Sequence, residues 1–195
     1  MGKIVISANA TLDGVVQDPD GAEGFEGGGW FHKFAGGKDL EAWVARETAE
    51  TLAAEALLLG RRSSEWFESR MPEFDVRVSP EWAERMNSIP KYVVSSTLDD
   101  PRWSNTTVLN GDAVKEISEL KQQVDGEILV YGSYRLMRTL VEQKLADELR
   151  LVVFPAVVGI GVRLFDEAGD QQALHLTDTR KLGDGLVFHT YEFVR

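Results

Sequence analysis

The 195-residue sequence predicts an α/β fold in which a mostly parallel central sheet ends in a C-terminal antiparallel hairpin. Two stretches predict the parallel part. From Ala56 to Phe67, Ala-Leu-Leu-Leu-Gly-Arg-Arg-Ser-Ser-Glu-Trp-Phe, a short apolar run stops at Gly60 and gives way to arginines, hydroxyls and a helix start. The second, Glu127 to Val141, repeats the pattern: a buried strand, then Gly132, Ser133 and Tyr134, then a helix with Leu136, Met137, Leu140 and Val141 inward. Strands alternating with helices require crossover connections and place helices against a parallel sheet. The hairpin is read from Leu174 to Leu182, the tight Gly183-Asp184-Gly185 turn, and Leu186 to Val194, with side chains alternating between faces.

Lys3 to Ala8, rich in Ile and Val, is a buried strand, followed by the Asp13-Gly14 turn and Val15-Val16. Gln17 to Lys38 carries many glycines with Trp30, Phe31 and Phe34, and is too long for an ordinary connection. Two readings stay open here: a lid over a site, or an insertion whose aromatics tuck onto the core. Asp39 is expected to N-cap a helix running to about Glu55, with Leu40, Trp43, Val44, Thr48, Thr51 and Leu52 inward and the acidic residues mostly on a solvated face. A polar loop is expected around Pro72, and Ser79-Pro80 opens the next helix. Strands follow at Lys91 to Val94 and Thr106 to Leu109, and Asp112 caps a helix bearing Val114, Ile117, Leu120 and Val124. Asp147 to Pro155 is a further strand. The Gly159 and Gly161 that follow it form a packed turn, because the third glycine of a dinucleotide fingerprint is missing.

No composition break or linker divides residues 1–195, which reads as one domain. The net charge of -11 argues against a nucleic-acid or anionic-membrane surface. The absence of cysteine removes disulfides, thiolate metal sites and thiol nucleophiles, and His32, His175 and His189 have no metal-ligand spacing. The longest uncharged apolar run, Leu151 to Val162, is too short to span a bilayer and contains Pro155, Gly159 and Gly161. With no secretory pattern after Lys3, a soluble cytoplasmic protein is expected.

In such a chain the adjacent Arg61 and Arg62 suggest a local anion site. Gly60 lets the backbone approach a ligand, Ser63 or Ser64 can cap the helix, and free N–H groups of its first turn face outward with the positive end of the helix dipole. A solvated strand-to-helix turn is the plainer reading of the same residues. Ser95, Ser96 and Thr97, at the end of a strand, bind phosphate or close a turn, the second being commoner. Asp13 is read first as closing the turn before Gly14, and otherwise as a proton donor.

The chain resembles the dihydrofolate-reductase-like superfamily, and within it the C-terminal reductase domain of the bifunctional deaminase-reductase of riboflavin biosynthesis. The likeness is carried by Thr11-Leu12-Asp13-Gly14, Leu59-Gly60-Arg61-Arg62-Ser63, Val94-Ser95-Ser96-Thr97-Leu98, Tyr131-Gly132-Ser133, Leu145-Ala146-Asp147-Glu148-Leu149, and Pro155 through Gly159-Ile160-Gly161 to Leu164-Phe165. The resemblance implies a single-domain three-layer sandwich with NADPH across the strand ends, and a homodimer. It implies that Arg61 contacts the adenosine 2′-phosphate, that Arg62 and Ser63 reach the phosphates, and that Ser95 and Ser96 lie by the adenosine. Gly132, Ser133 and Tyr134 would hold the pyrophosphate, and the backbone at Asn9 and Val16 would flank the nicotinamide. An arginine pair suits NADPH better than NADH.

The departures concern the substrate. The carboxylate that dihydrofolate reductases place on the helix before the phosphate strand has only Glu41 and Glu47 as counterparts, at uncertain register. The substrate-phosphate arginines of the riboflavin-pathway reductases have no match between Gly60 and Arg77. The substrate pocket is expected at Asp13, Trp30, Phe31 and Trp43, whose aromatic faces suit a flat ring. The implied reaction is hydride transfer to a pyrimidine- or pterin-like heterocycle, with reduction of 5-amino-6-(5-phosphoribosylamino)uracil as the nearest case and no named catalytic acid. The alternative is a non-catalytic flavin-, pterin- or nucleotide-binding protein on the same fold.

Overall fold

The computed structural model describes residues 1–77, 79–165 and 171–194. Among the described residues, eight strands form one sheet: β1 (Lys3–Thr11), β2 (Ala56–Gly60), β3 (Lys91–Val94), β4 (Thr106–Leu109), β5 (Glu127–Tyr131), β6 (Glu148–Phe154), β7 (Leu174–Leu182) and β8 (Leu186–Phe193), in the order β4-β3-β2-β5-β1-β6-β8-β7. The helices among these residues are α1 (Trp30–Phe34), α2 (Gly37–Ala53), α3 (Arg61–Arg77), α4 (Pro80–Ser88), α5 (Ala113–Gln123) and α6 (Tyr134–Glu142). Internal contacts divide the chain into one unit of Met1–Ile6 with Val44–Asp147, and a second of Ser7–Trp43 with the chain from Glu148.

In the first unit β2 pairs in parallel with β3 and β5, and β3 with β4, as the strand-helix alternation predicts. Leu57, Leu59 and Leu129 pack into one apolar cluster with Trp82, Met86, Ile89 and Trp103. Ser79 caps α4 by accepting from the Trp82 N–H, with Pro80 behind it, and Asp112 caps α5 by accepting from the Lys115 N–H. Lys91 is fully buried at the start of β3. Its ammonium donates to the carbonyls of Asn87, Ile89 and Ser104 and lies over the Trp103 ring, and burial lowers its pKa to about 8.

Three expectations for the helices need correction. The chain around Pro72 is not a loop, because α3 continues through it to Arg77. Leu52 faces outward at 48% exposure. The acidic residues of α2 are not mostly solvated, for Asp39, Glu47 and Glu50 are buried and only Glu41 is exposed.

The second unit is organised by β6–β8–β7 antiparallel pairing. Trp30, Val152, Phe154, Leu182, Leu186 and Phe188 form its core, with Phe31 and Trp43 packed against it. The hairpin is as expected, but β7 does not alternate: every residue from Leu174 to Lys181 is exposed, on both faces of a strand that ends the sheet order. Asp39 does not cap from outside the helix. It lies in the first turn of α2, where its carboxylate accepts from the backbone N–H groups of Gly36 at 2.8 Å, Asp184 at 2.6 Å and Gly185 at 2.8 Å. The hairpin turn sits so close that a Cβ on Gly183, at φ 60°, would lie 2.4 Å from Asp39 Oδ1. The Gly185, Gly36 and Asp184 N–H groups hold the Asp39 pKa below its ordinary value.

Replacing Asp39 with Ala leaves three N–H groups without their acceptor and is expected to cost about 1–3 kcal/mol in denaturant unfolding. Because the folded-state pKa is depressed, the Asp39 contribution is present above the unfolded carboxylate pKa and is lost as pH falls through the folded value. The difference between wild type and Asp39→Ala should therefore shrink on acidification.

Candidate functional site

Parallel pairing sets the carboxyl ends of β2 and β5 side by side, and each strand runs into a helix within two residues. α3 begins at Arg61 directly after Gly60, and α6 begins at Tyr134 after Gly132 and Ser133. Gly132 has φ 55° and Ser133 φ 58°, a left-handed conformation that is uncommon for a serine and marks a constrained turn. The two turns grip each other. The Gly60 N–H donates to Ser133 Oγ at 2.9 Å, and the Ser133 N–H donates to Ser63 Oγ at 2.9 Å. A Cβ on Gly132 would lie 3.0 Å from Ser63 Oγ, a tight contact that adds to the strain a larger residue would carry at φ 55°.

Of Ser63 and Ser64, which the sequence offered as alternative caps of their own helix, Ser63 instead gives its hydroxyl to the neighbouring turn. Ser133, at the N-cap of α6, makes no side-chain cap bond. Neither α3 nor α6 has an acidic residue in its first turn. The result is two helix N-termini side by side, flanked by exposed Arg61, Arg62 and Arg135, an arrangement suited to an anion. Arg135 was not singled out in the sequence, although its place at the second position of α6 was visible once the repeat unit was recognised. Parallel pairing of Gly60 with Val94 brings the end of β3 alongside, and Arg61 Nη1 donates to Thr97 Oγ1 at 2.7 Å. Ser95 Oγ accepts from the Thr97 and Leu98 N–H groups and so closes this turn, while Ser96 is exposed.

A buried ionic cluster lies behind the β5 turn. Arg46 pairs with Glu47 and with Glu50, the latter at 3.0 Å, and the Tyr131 hydroxyl donates to Glu50 Oε2 at 3.0 Å and lies 2.9 Å from Thr51 Oγ1. Two carboxylates share one guanidinium, so burial, with repulsion from Glu50, raises the Glu47 pKa to about 7 against the attraction of Arg46. Sequence reading set Thr51 inward and Tyr131 in a buried strand, but held the acidic residues of this helix to be mostly solvated, with Glu47 one of two counterparts for a pocket carboxylate at uncertain register. The missed signal was spacing: Trp43, Glu47, Glu50 and Ala54 recur at the three- and four-residue steps of one helical stripe.

The other expected site residues belong to the second unit. Trp43 Nε1 donates to Asn9 Oδ1 at 2.9 Å, and Phe31 meets the Trp43 ring edge-on at 4.8 Å, so three of them stand together. Trp30 is 1% exposed, donates from Nε1 to the Gln17 carbonyl and packs edge-on against Phe154. Val16 is half-buried, and its N–H donates to the Val162 carbonyl. Asp13 accepts from the Thr11 hydroxyl at 2.6 Å, the Val158 N–H at 3.1 Å and the Gly159 N–H at 2.8 Å, and Arg163 lies 3.7 Å away. The Thr11 hydroxyl chiefly, with these N–H groups, holds the Asp13 pKa down to about 2. The glycine-rich segment after Val16 is tied by Asp18, which is buried at φ 48°. Its carboxylate accepts from the Glu23 and Phe25 N–H groups, and its carbonyl accepts from those of Gly21 and Gly29.

Comparison with known proteins places this geometry. The family model described as the RibD C-terminal domain matches residues 2–188. The chain belongs to the RibD C-terminal domain family. Among curated relatives, the uncharacterized protein YwjB of Bacillus subtilis is 25% identical over 187 residues, 96% of each chain. Two solved structures share the fold. A protein from Shewanella sp. PV-4 named for riboflavin biosynthesis matches with TM-score 0.74 at 20% identity, covering 99% of both chains. Dihydrofolate reductase from Enterococcus faecalis, solved as a complex with NADP(H), matches with TM-score 0.56 at 14% identity, covering 98% of this chain and 96% of that one. The fold is therefore α/β and dihydrofolate-reductase-like, as the resemblance implied.

Glu47 gives the RibD-like chain a testable pH signature. Its folded-state pKa of about 7 exceeds the ordinary 4.5, so the folded state binds more protons across that window and stability falls as pH rises through it. Glu47→Gln should lose less stability than wild type between about pH 5 and about pH 8, by on the order of 1–3 kcal/mol in urea unfolding.

Proposed function

We propose that this RibD-like chain acts as one domain over residues 1–195, an NADPH-dependent oxidoreductase that transfers a hydride to a pyrimidine- or pterin-like heterocycle. Its nearest reaction is reduction of 5-amino-6-(5-phosphoribosylamino)uracil in riboflavin biosynthesis, in the cytoplasm. The observation that carries the reading is the pair of interlocked turns at Gly60 and Gly132–Ser133, with two helix starts free of acidic residues and arginines at 61, 62 and 135. Membership of the RibD C-terminal domain family and a shared fold with an NADP(H)-complexed reductase support it.

The residues present fit such a coenzyme. Backbone N–H groups of the first turns of α3 and α6 would hold the pyrophosphate, and Arg61 and Arg62 would meet the remaining phosphate. The bound nicotinamide supplies the hydride. Asn9 and Trp43 fix each other by a hydrogen bond and, with Phe31, offer an aromatic surface for a flat substrate ring. Asp13, ionised at neutral pH, holds the Val158–Gly159 backbone in place, and the proton that accompanies hydride transfer comes from water. The chain works as a homodimer joined along β7, whose exposed Leu174 and Leu176 lie at a sheet edge.

Titration followed by nicotinamide fluorescence should show NADPH binding more tightly than NADH, with the preference reduced at least about tenfold in Arg61→Ala. Light scattering on the same samples should give twice the 21.7 kDa chain mass. Failure of both coenzymes to bind would contradict the reductase reading and turn the search to flavin or another ring, and a monomer would remove the β7 interface.

A further inference from the structure

Arg61 is engaged on two sides. Its Nε–H donates to Glu65 Oε1 at 2.7 Å, one helical turn along α3, and its Nη1–H donates to Thr97 Oγ1 at 2.7 Å. The two acceptors differ in kind. Thr97 is neutral and orients the guanidinium fork without cancelling its charge, whereas the Glu65 carboxylate is a counter-ion in direct contact. The Arg61 and Glu65 side chains are 45% and 47% exposed, so the pair is open to an incoming solute. Glu65 also lines a concave groove of about 450 Å³ with Glu68, Leu98, Asp100 and Trp103. A dianion approaching Arg61 from this side therefore meets three carboxylates. Arg62, beside Arg61, has no ion pair among the described residues.

We propose that Glu65 sets coenzyme selectivity: as the counter-ion of Arg61 it must share that cation with an incoming 2′-phosphate, and so restrains the preference for the phosphorylated coenzyme. The proposal rests on the dinucleotide reading of this site and adds a residue that works against the arginine pair. A purely structural alternative exists, since an i,i+4 ion pair supports a helix by a few tenths of a kcal/mol. That role would shift the melting temperature and leave the ratio of coenzyme affinities alone.

The test is binding, not turnover. Wild type and Glu65→Gln are titrated with NADPH, NADH and adenosine 2′-phosphate at two salt concentrations, with melting curves to confirm folding. Glu65→Gln should tighten NADPH and adenosine 2′-phosphate by roughly two- to fivefold, leave NADH unchanged, and show a smaller gain at high salt. An unchanged NADPH-to-NADH ratio in a variant that binds both would overturn the role of Glu65 and leave the dinucleotide reading standing. If wild type binds neither coenzyme and neither protein binds adenosine 2′-phosphate, both fall.

Discussion

Gly60 and Ser133 hold one another at the ends of adjacent parallel strands, each turn supplying an N–H to a serine hydroxyl of the other. Hydroxyls serve here as connectors because each can accept from a backbone N–H while keeping a donor of its own. The reciprocity fixes where α3 and α6 begin, and with them the direction of two helix dipoles. It favours glycine at position 132, where φ is positive and a side chain would crowd Ser63, and it keeps Ser133 in a left-handed conformation. The arginines at 61, 62 and 135 then follow from position: residues at the first and second places of these helices flank the same space. An acidic chain with net charge -11 thus presents one small region of opposite character.

The carboxylates that matter structurally do a different job. Asp13, Asp18 and Asp39 all lie in the second unit, and each accepts from two or three backbone N–H groups in segments rich in glycine. Glycine-rich backbone has the most conformational freedom to lose, and a charge-assisted acceptor for several N–H groups offsets that loss. This explains how Gln17 to Lys38 can be long and glycine-rich and still be tied at both ends. In the first unit, by contrast, Glu47 and Glu50 share Arg46, and the excess negative charge is relieved by a proton near neutral pH.

Much of this was legible from local pattern. Apolar runs ending in glycine located β2 and β5, Ser79-Pro80 and Asp112 located helix starts, and Gly183-Asp184-Gly185 located the hairpin. These signals act over a few residues, so they survive without knowledge of the fold. What escaped the sequence depends on partners far along the chain. Asp39 resembles a cap until the turn at Gly185 arrives on it, and Ser63 until Ser133 does. Pro72 reads as a breaker, yet α3 continues through it to Arg77. The acidic residues of α2 were read as mostly solvated because charge was weighed above spacing, although Glu47 and Glu50 fall with Trp43 and Ala54 on one stripe and are buried.

The central claim is that the two interlocked turns form one phosphate site. Amide NMR spectra of the labelled protein during titration with NADP⁺ test it most directly. The account predicts saturable shifts concentrated at Arg61 to Ser64 and at Gly132 to Arg135, together on one binding curve. Shifts confined to other segments, or movement of only one of the two turns, would contradict it.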